Sequence, residues 1–357
     1  MKMNLIGKIF LLFLVLHISG FAEELKPYKL INSDKLIVNK FDEEYVTDLK
    51  GNVHFFYGET EFFADAAQIF EEKKITKLIG NVKVFEDTLS LFADRAEYFR
   101  LSEKMILDKN VFIKEVHTDS TFRTFESEHT EYFFDSQELT VTDDVHMFDE
   151  RENMSGSCGK LIYNADTGYG YLMQSPLLTK HGADSLTVTG EKIEYFRDFE
   201  KVTANFDVRT YNKDFLITSD FMIIFNKENK AFFLGEPLFT NETAVASANE
   251  FHLFFDEENI TKAEMTDDCR IDFKSKETNE EMKNWVTSEL AEFFFEEGNI
   301  TKCVATGIAE SYFEQTEDDK NSRNRSSGNV LILNIEDSDI NSISMQNNVK
   351  GTYVFEK

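Results

Sequence analysis

The chain has 357 residues and a formal net charge of -28, from 66 Asp and Glu against 38 Lys and Arg. That balance excludes a nucleic-acid binder, which needs a basic face to neutralise phosphates, and argues against broad docking on an anionic membrane surface. Phe supplies 36 residues, ample for a long core, and only 3 prolines point to uninterrupted backbone pairing, because proline removes a ladder donor.

Residues 1–22 read as a secretory signal. Lys2 and Lys8 open it, Ile9 to Ile18 is apolar but for His17, and Gly20 and Ala22 hold the -3 and -1 positions of a cut before Glu23. The apolar run is too short to span a bilayer as a helix. Residues 23–357 are expected to be exported as one elongated body. Cys158, Cys269 and Cys303 include no CxxC pair, so a zinc site is not expected. A Cys269–Cys303 bridge stays open, and Cys158 reads as a small buried residue.

From there the chain repeats one design. Thr88 to Arg100, TLSLFADRAEYFR, displays it: alternation through Leu89, Leu91 and Ala93, then Asp94-Arg95, then alternation resumed at Ala96 and Tyr98. A small residue followed by an acid, Asn or Gly marks each of ten units: Ser33-Asp34, Ala64-Asp65, Ala93-Asp94, Ser127-Glu128, Cys158-Gly159, Gly190-Glu191, Ser219-Asp220, Ala248-Asn249, Ser288-Glu289 and Gly328-Asn329. Successive spacings are 31, 29, 34, 31, 32, 29, 29, 40 and 40 residues. Such a period signals an array whose units pack mainly on their neighbours.

In the first unit, Ile31, Ser33, Leu36 and Val38 are inward candidates, and the chain returns to Gly51-Asn52-Val53. The second runs through Phe62 and Ala64, turns at Glu71 to Lys74, and returns to Gly80-Asn81-Val82. The third ends in Lys109-Asn110-Val111, and this second landmark fades to Asp144-Val145 and Phe206-Asp207-Val208 before returning as Asn348-Val349. Period-two alternation on both sides of each landmark predicts strands. The phase change at Asp94-Arg95 predicts a bulge or corner there, with the acid as the residue that lets the strand turn.

Short turns such as Glu71 to Lys74 and Lys227 to Asn229 join antiparallel neighbours. Polar stretches near 274–284 and 315–327 are expected to be loops. The fold expected is all-β: an elongated antiparallel β-jellyroll or solenoid of about ten ~30-residue repeats of bent strands around an open groove. Two strands per unit make about 20 ribs, on the order of 95 Å at about 4.8 Å per strand. A parallel β-helix is the rival, and the short polar turns favour hairpins over it.

The alternation of LFADRAEYF with GNVKVF, and of FFADAAQIF with GNVHFF, resembles the OstA-like family. That family comprises periplasmic lipopolysaccharide-transport proteins of the LptA type and the N-terminal domain of their outer-membrane partner LptD. The resemblance is sharpest from Ile31 to Phe148. It implies a bent antiparallel β-jellyroll and a non-enzymatic bridge that carries lipopolysaccharide or a related glycolipid toward the outer membrane, acyl chains in an apolar groove. It implies no cofactor. It also implies docking of homologous LptC or LptD modules, or end-to-end copies of this chain, by edge-strand addition. The acidic excess offers no obvious surface for phosphate groups.

By alternation, the residues expected to line the groove are Phe62, Ile69, Leu91, Tyr98, Phe125, Tyr132, Val188, Tyr195, Ile217, Ile224, Leu253 and Phe293. The same residues could instead pack against one another across the roll. A structural or adhesive solenoid exposed at the cell surface is the alternative function. No catalytic or metal-ligating set is predicted: the acids recur with the repeat, which argues for architecture, and the seven histidines are scattered. The Asn241, Asn259 and Asn299 acceptor patterns read as turn asparagines.

Overall fold

The protein is described by a computed structural model covering residues 26–41, 44–182, 185–197, 200–256, 259–274, 282–297, 299–317, 320–336 and 339–355. The expected signal over 1–22 lies outside these residues. Among them are 26 strands and no α-helix, and every pairing is antiparallel. Six ribs are broken at the corner into two strands, as Tyr28–Asn32 and Lys35–Phe41 are, so the sheet has twenty ribs. Each rib pairs with the next in the chain, as the turn spacing predicts.

Alternation builds the ribs, and the two landmarks build their corners. In Leu89–Phe99, Leu91, Ala93, Ala96 and Tyr98 are buried while Asp94 and Arg95 are exposed, so the phase changes where expected. The unusual backbone is elsewhere. Ile79 faces Arg95 and Val82 faces Ala93, so Gly80 and Asn81 together oppose Asp94 alone. The extra residue belongs to the Gly-Asn strand, whose Gly80 and Asn81 have φ of 77° and 45°. The same left-handed pair recurs at Gly51-Asn52, Lys109-Asn110, Asp143-Asp144, Gln174-Ser175, Phe206-Asp207, Gly235-Glu236, Asp267-Asp268 and Asn347-Asn348.

The expectation that Asp94 lets the strand turn is therefore corrected. The landmark acid accepts a hydrogen bond from the Asn amide of the neighbouring corner: Asn110 Nδ2 to Asp94 at 2.9 Å, Asn81 to Asp65 at 2.9 Å, and Asn52 to Asp34 at 3.1 Å. Gly and Asn suit the left-handed region for which most side chains are penalised. The two recurrent motifs are partners across adjacent ribs.

Two further expectations are corrected. The stretch 315–327 is largely strand: Asn299–Glu317 and Lys320–Glu336 pair from Lys302 with Asn334 out to Glu317 with Lys320, with one bulge between Thr306 and Ala309. The longer spacing lengthens a hairpin instead of adding a loop. Ile31, Leu36 and Val38 are exposed, at 46%, 51% and 57%, because among the described residues the first rib has a neighbour on one side only. Much of the 274–284 stretch lies outside the described residues.

The corner folds each rib so that its two limbs face each other. One rim carries the turns that link units, such as 87–88, and the other carries the turns within units, such as 100–103. Between the limbs the core forms two clusters, one from Leu49 to Leu172 and one from Met154 to Leu333. The thiols of Cys158, Cys269 and Cys303 are all free and buried.

Candidate functional site

The twelve residues predicted to line a groove fall on two inward rows. Phe62, Leu91, Phe125, Val188 and Ile217 lie on the unit-linking limb, and Ile69, Tyr98, Tyr132, Tyr195, Ile224, Leu253 and Phe293 on the within-unit limb. The rows meet face to face. The Tyr98 ring lies 5.6 Å from Tyr57 and 5.7 Å from Phe62, and Phe125 lies 5.6 Å from Tyr163. Phe62 and Leu91 are fully buried, so over the early ribs the lining residues pack on each other.

The rims differ between the two halves of the molecule. Over the first eleven ribs they are closed by a polar seam. Glu103, on the within-unit rim, accepts a hydrogen bond from the Tyr98 hydroxyl at 2.5 Å and meets Lys26 of the opposite rim at 3.4 Å. Tyr28 crosses to bond Thr76, and the Arg100 guanidinium lies 5.1 Å over the Tyr28 ring. Farther along, Arg123 donates to Asp149 from Nε at 2.8 Å and from a terminal nitrogen at 2.5 Å. Its other terminal nitrogen stands 3.6 Å from Glu115, which also accepts from the Tyr163 hydroxyl at 3.3 Å. The Arg123 guanidinium packs 4.7 Å over Tyr163 and 6.0 Å over Tyr195, across the rims, beside a cavity of about 30 Å³.

Burial pushes the Tyr28, Tyr163 and Tyr195 phenols up to about 12, so they stay neutral near pH 7. Burial likewise raises the Glu86 carboxyl, on the unit-linking rim, from 4.5 to about 6, and its Oε2 has no hydrogen-bond partner. Burying a charge without full compensation favours the protonated acid. The seam was not anticipated, yet parity marks it. Glu86, Glu115, Arg123 and Asp149 each stand two places from an inward apolar residue: Val84, Ile113, Phe125 and Met147. A charge in phase with the core is the signal.

Over the later ribs the corresponding rim positions are mostly apolar, with Asn284 a buried polar residue among them. Phe215, Phe273 and Phe313 line the unit-linking rim; Ile224, Phe255, Ile260 and Phe293 line the other, all packed against the second core cluster and only partly buried. Ile224 and Phe293 are thus only partly buried, whereas the lining residues of the first seven ribs, from Phe62 to Tyr132, are buried. An apolar mouth runs along this half.

Outside the within-unit limb, one position over, lies a row that alternates aromatic and basic residues. Across the register it reads Phe196, Lys201, Phe225, Lys230, Phe254, Lys262, Phe294 and Lys302. Lys201 lies 4.0 Å over Phe196, Lys230 and Lys262 each 5.7 Å over Phe254, and Lys302 5.9 Å over Phe294. Many phenylalanines expected in the core are therefore on this outer row. Their signal is positional: they end or nearly end the strand before a within-unit turn, and the lysine is the first or the fourth residue of the strand after it.

A stack of bent antiparallel ribs with an apolar interior is a β-jellyroll. Residues 28–135, the first seven ribs, match the model of the family described as OstA-like protein. That match supports a lipopolysaccharide-transport-type β-fold, and the later ribs repeat the same corner geometry. A search of curated proteins finds no match. Among the described residues no group of three or more His, Cys, Asp or Glu is placed to hold a metal.

Proposed function

We propose that this protein is a periplasmic lipid-binding bridge that holds the acyl chains of lipopolysaccharide, or a related glycolipid, between its two limbs on the way to the outer membrane. It acts without catalysis and without a cofactor. The observation that carries the reading is the pair of facing apolar rows, only partly buried along the mouth at Ile224 and Phe293. Each buried CH₂ of an acyl chain contributes roughly 0.8 kcal/mol, and a repetitive lining offers near-equal sites along its length, which suits sliding. The OstA-like match over the first ribs supports the same reading.

The partners in this reading are homologous modules of the LptC or LptD kind, or further copies of this chain, added at the end ribs. The first rib exposes Leu36 and Val38, and the last exposes Tyr353, Val354 and Phe355. Unpaired edges with apolar side chains suit strand addition. A photo-crosslinking residue at Ile224 or Phe293 should capture lipopolysaccharide in exporting cells, and one at the outward Glu97 or Glu194 should not. Equal capture on both faces would refute the groove.

A further inference from the structure

We propose that Lys201, Lys230, Lys262 and Lys302 form a binding site for the anionic headgroup of an acyl lipid, laid along the lip of the apolar mouth. The proposal rests on the lipid reading above and adds the place and the charge of the headgroup.

Two independent features coincide over the same ribs. The rims lose their charged seam and become mostly apolar, and the outer row beside one rim becomes lysine at every second rib. In a chain of net charge -28, four cations in line, with aromatic residues and no acid between them on their own row, go against the composition. Their spacing is about 9.6 Å, twice the strand separation. From the third to the tenth rib the only lysine on this row is Lys104, and it is bound to Glu131 at 2.9 Å.

The geometry joins the two features. Ile224, Leu253 and Phe293 face the mouth, and the next residues in the chain, Phe225, Phe254 and Phe294, face the lysine row. One strand's thickness separates acyl chains from ammonium groups. Lysine stems lying on phenylalanine rings keep their heads at the surface. An amphiphile with its chains between the limbs places its headgroup at this lip, and the complementary headgroup is phosphate-bearing. Lys262 is already held by Glu264 and Glu292, each at 2.6 Å, so a headgroup there competes with two carboxylates.

The test is lipid extraction by the purified mature chain from phosphatidylcholine vesicles doped with fluorescent phosphatidic acid or with fluorescent diacylglycerol of identical chains. Phosphatidic acid should be extracted about tenfold better, an advantage lost at high salt. The combined Lys201→Gln, Lys230→Gln, Lys262→Gln and Lys302→Gln variant should extract both lipids at the diacylglycerol level, and Lys→Arg at the same positions should keep the preference. Equal extraction of both lipids by the native chain, or a preference that survives the four Gln substitutions, overturns the headgroup site and leaves the lipid reading standing. Extraction of neither lipid by the native chain overturns both.

Discussion

Gly80 sits at φ 77° in the corner of its rib, and a Cβ there would come within 2.3 Å of the Asp65 carboxylate that the Asn81 amide donates to. Gly80→Ala should therefore cost about 1 to 2 kcal/mol in urea unfolding, through left-handed strain and the displaced acid. Glu86 makes a pH prediction. Its folded value is raised from 4.5 to about 6 by burial, so the folded state holds the proton more tightly than the unfolded state does. The stability this contributes is complete below pH 4.5 and is lost as pH rises through 6. Glu86→Gln should accordingly match the native protein at pH 4.5 and exceed it by about 1 kcal/mol at pH 7.5, after discounting for partial exposure. A difference that stays constant across that window would assign the effect to something other than this proton.

At the scale of the rib, corners and rims have separate determinants. The Gly-Asn and small-Asp landmarks set the fold angle, and the residues at the rim set whether the two limbs are sealed. Arg123 is the central seal, with its side chain 5% exposed against Asp149 at 2%. Arg123→Met leaves Asp149 and Glu115 buried without their cation and should lower stability by about 3 to 5 kcal/mol. Adding Asp149→Leu should recover more than half of that loss in the same unfolding measurement, because an apolar pair can replace a buried ion pair. A double variant no better than the single one would mean the pair matters through its hydrogen bonds to the rest of the seam.

For the whole molecule, the end ribs decide assembly. Among the described residues no rib lies beyond Leu36 and Val38, which are uncovered, and the far end is similarly bare at Tyr353 to Phe355. Sedimentation velocity should show concentration-dependent end-to-end association of the native chain. Leu36→Lys with Val38→Lys should leave a monomer at every concentration, since charge on an edge strand blocks pairing. Unchanged association in that variant would move the contact away from this edge. The two halves also divide the labour: the seven ribs that match the OstA-like family are sealed by tyrosines and carboxylates, and the apolar mouth and the lysine row lie in the ribs beyond them.

Much of this was legible in the chain itself. Period-two alternation, a landmark every 29 to 40 residues and short polar turns specified antiparallel ribs, their number and the inward direction of the twelve residues read from alternation. Those properties are local, carried by which way consecutive side chains point. Three features needed the tertiary structure. Asp94 marks the corner in the sequence, but only the cross-strand register shows that the extra residue is in Gly80-Asn81. The loop expected over 315–327 became strand because a partner of equal length lay opposite. Arg123 with Tyr163, and Lys201 with Phe225 and Lys230, are neighbours only because ribs distant or turned in sequence stack in register. Alternation says that a residue faces inward. What it meets there, and whether the rims close over it, depends on contacts across the fold.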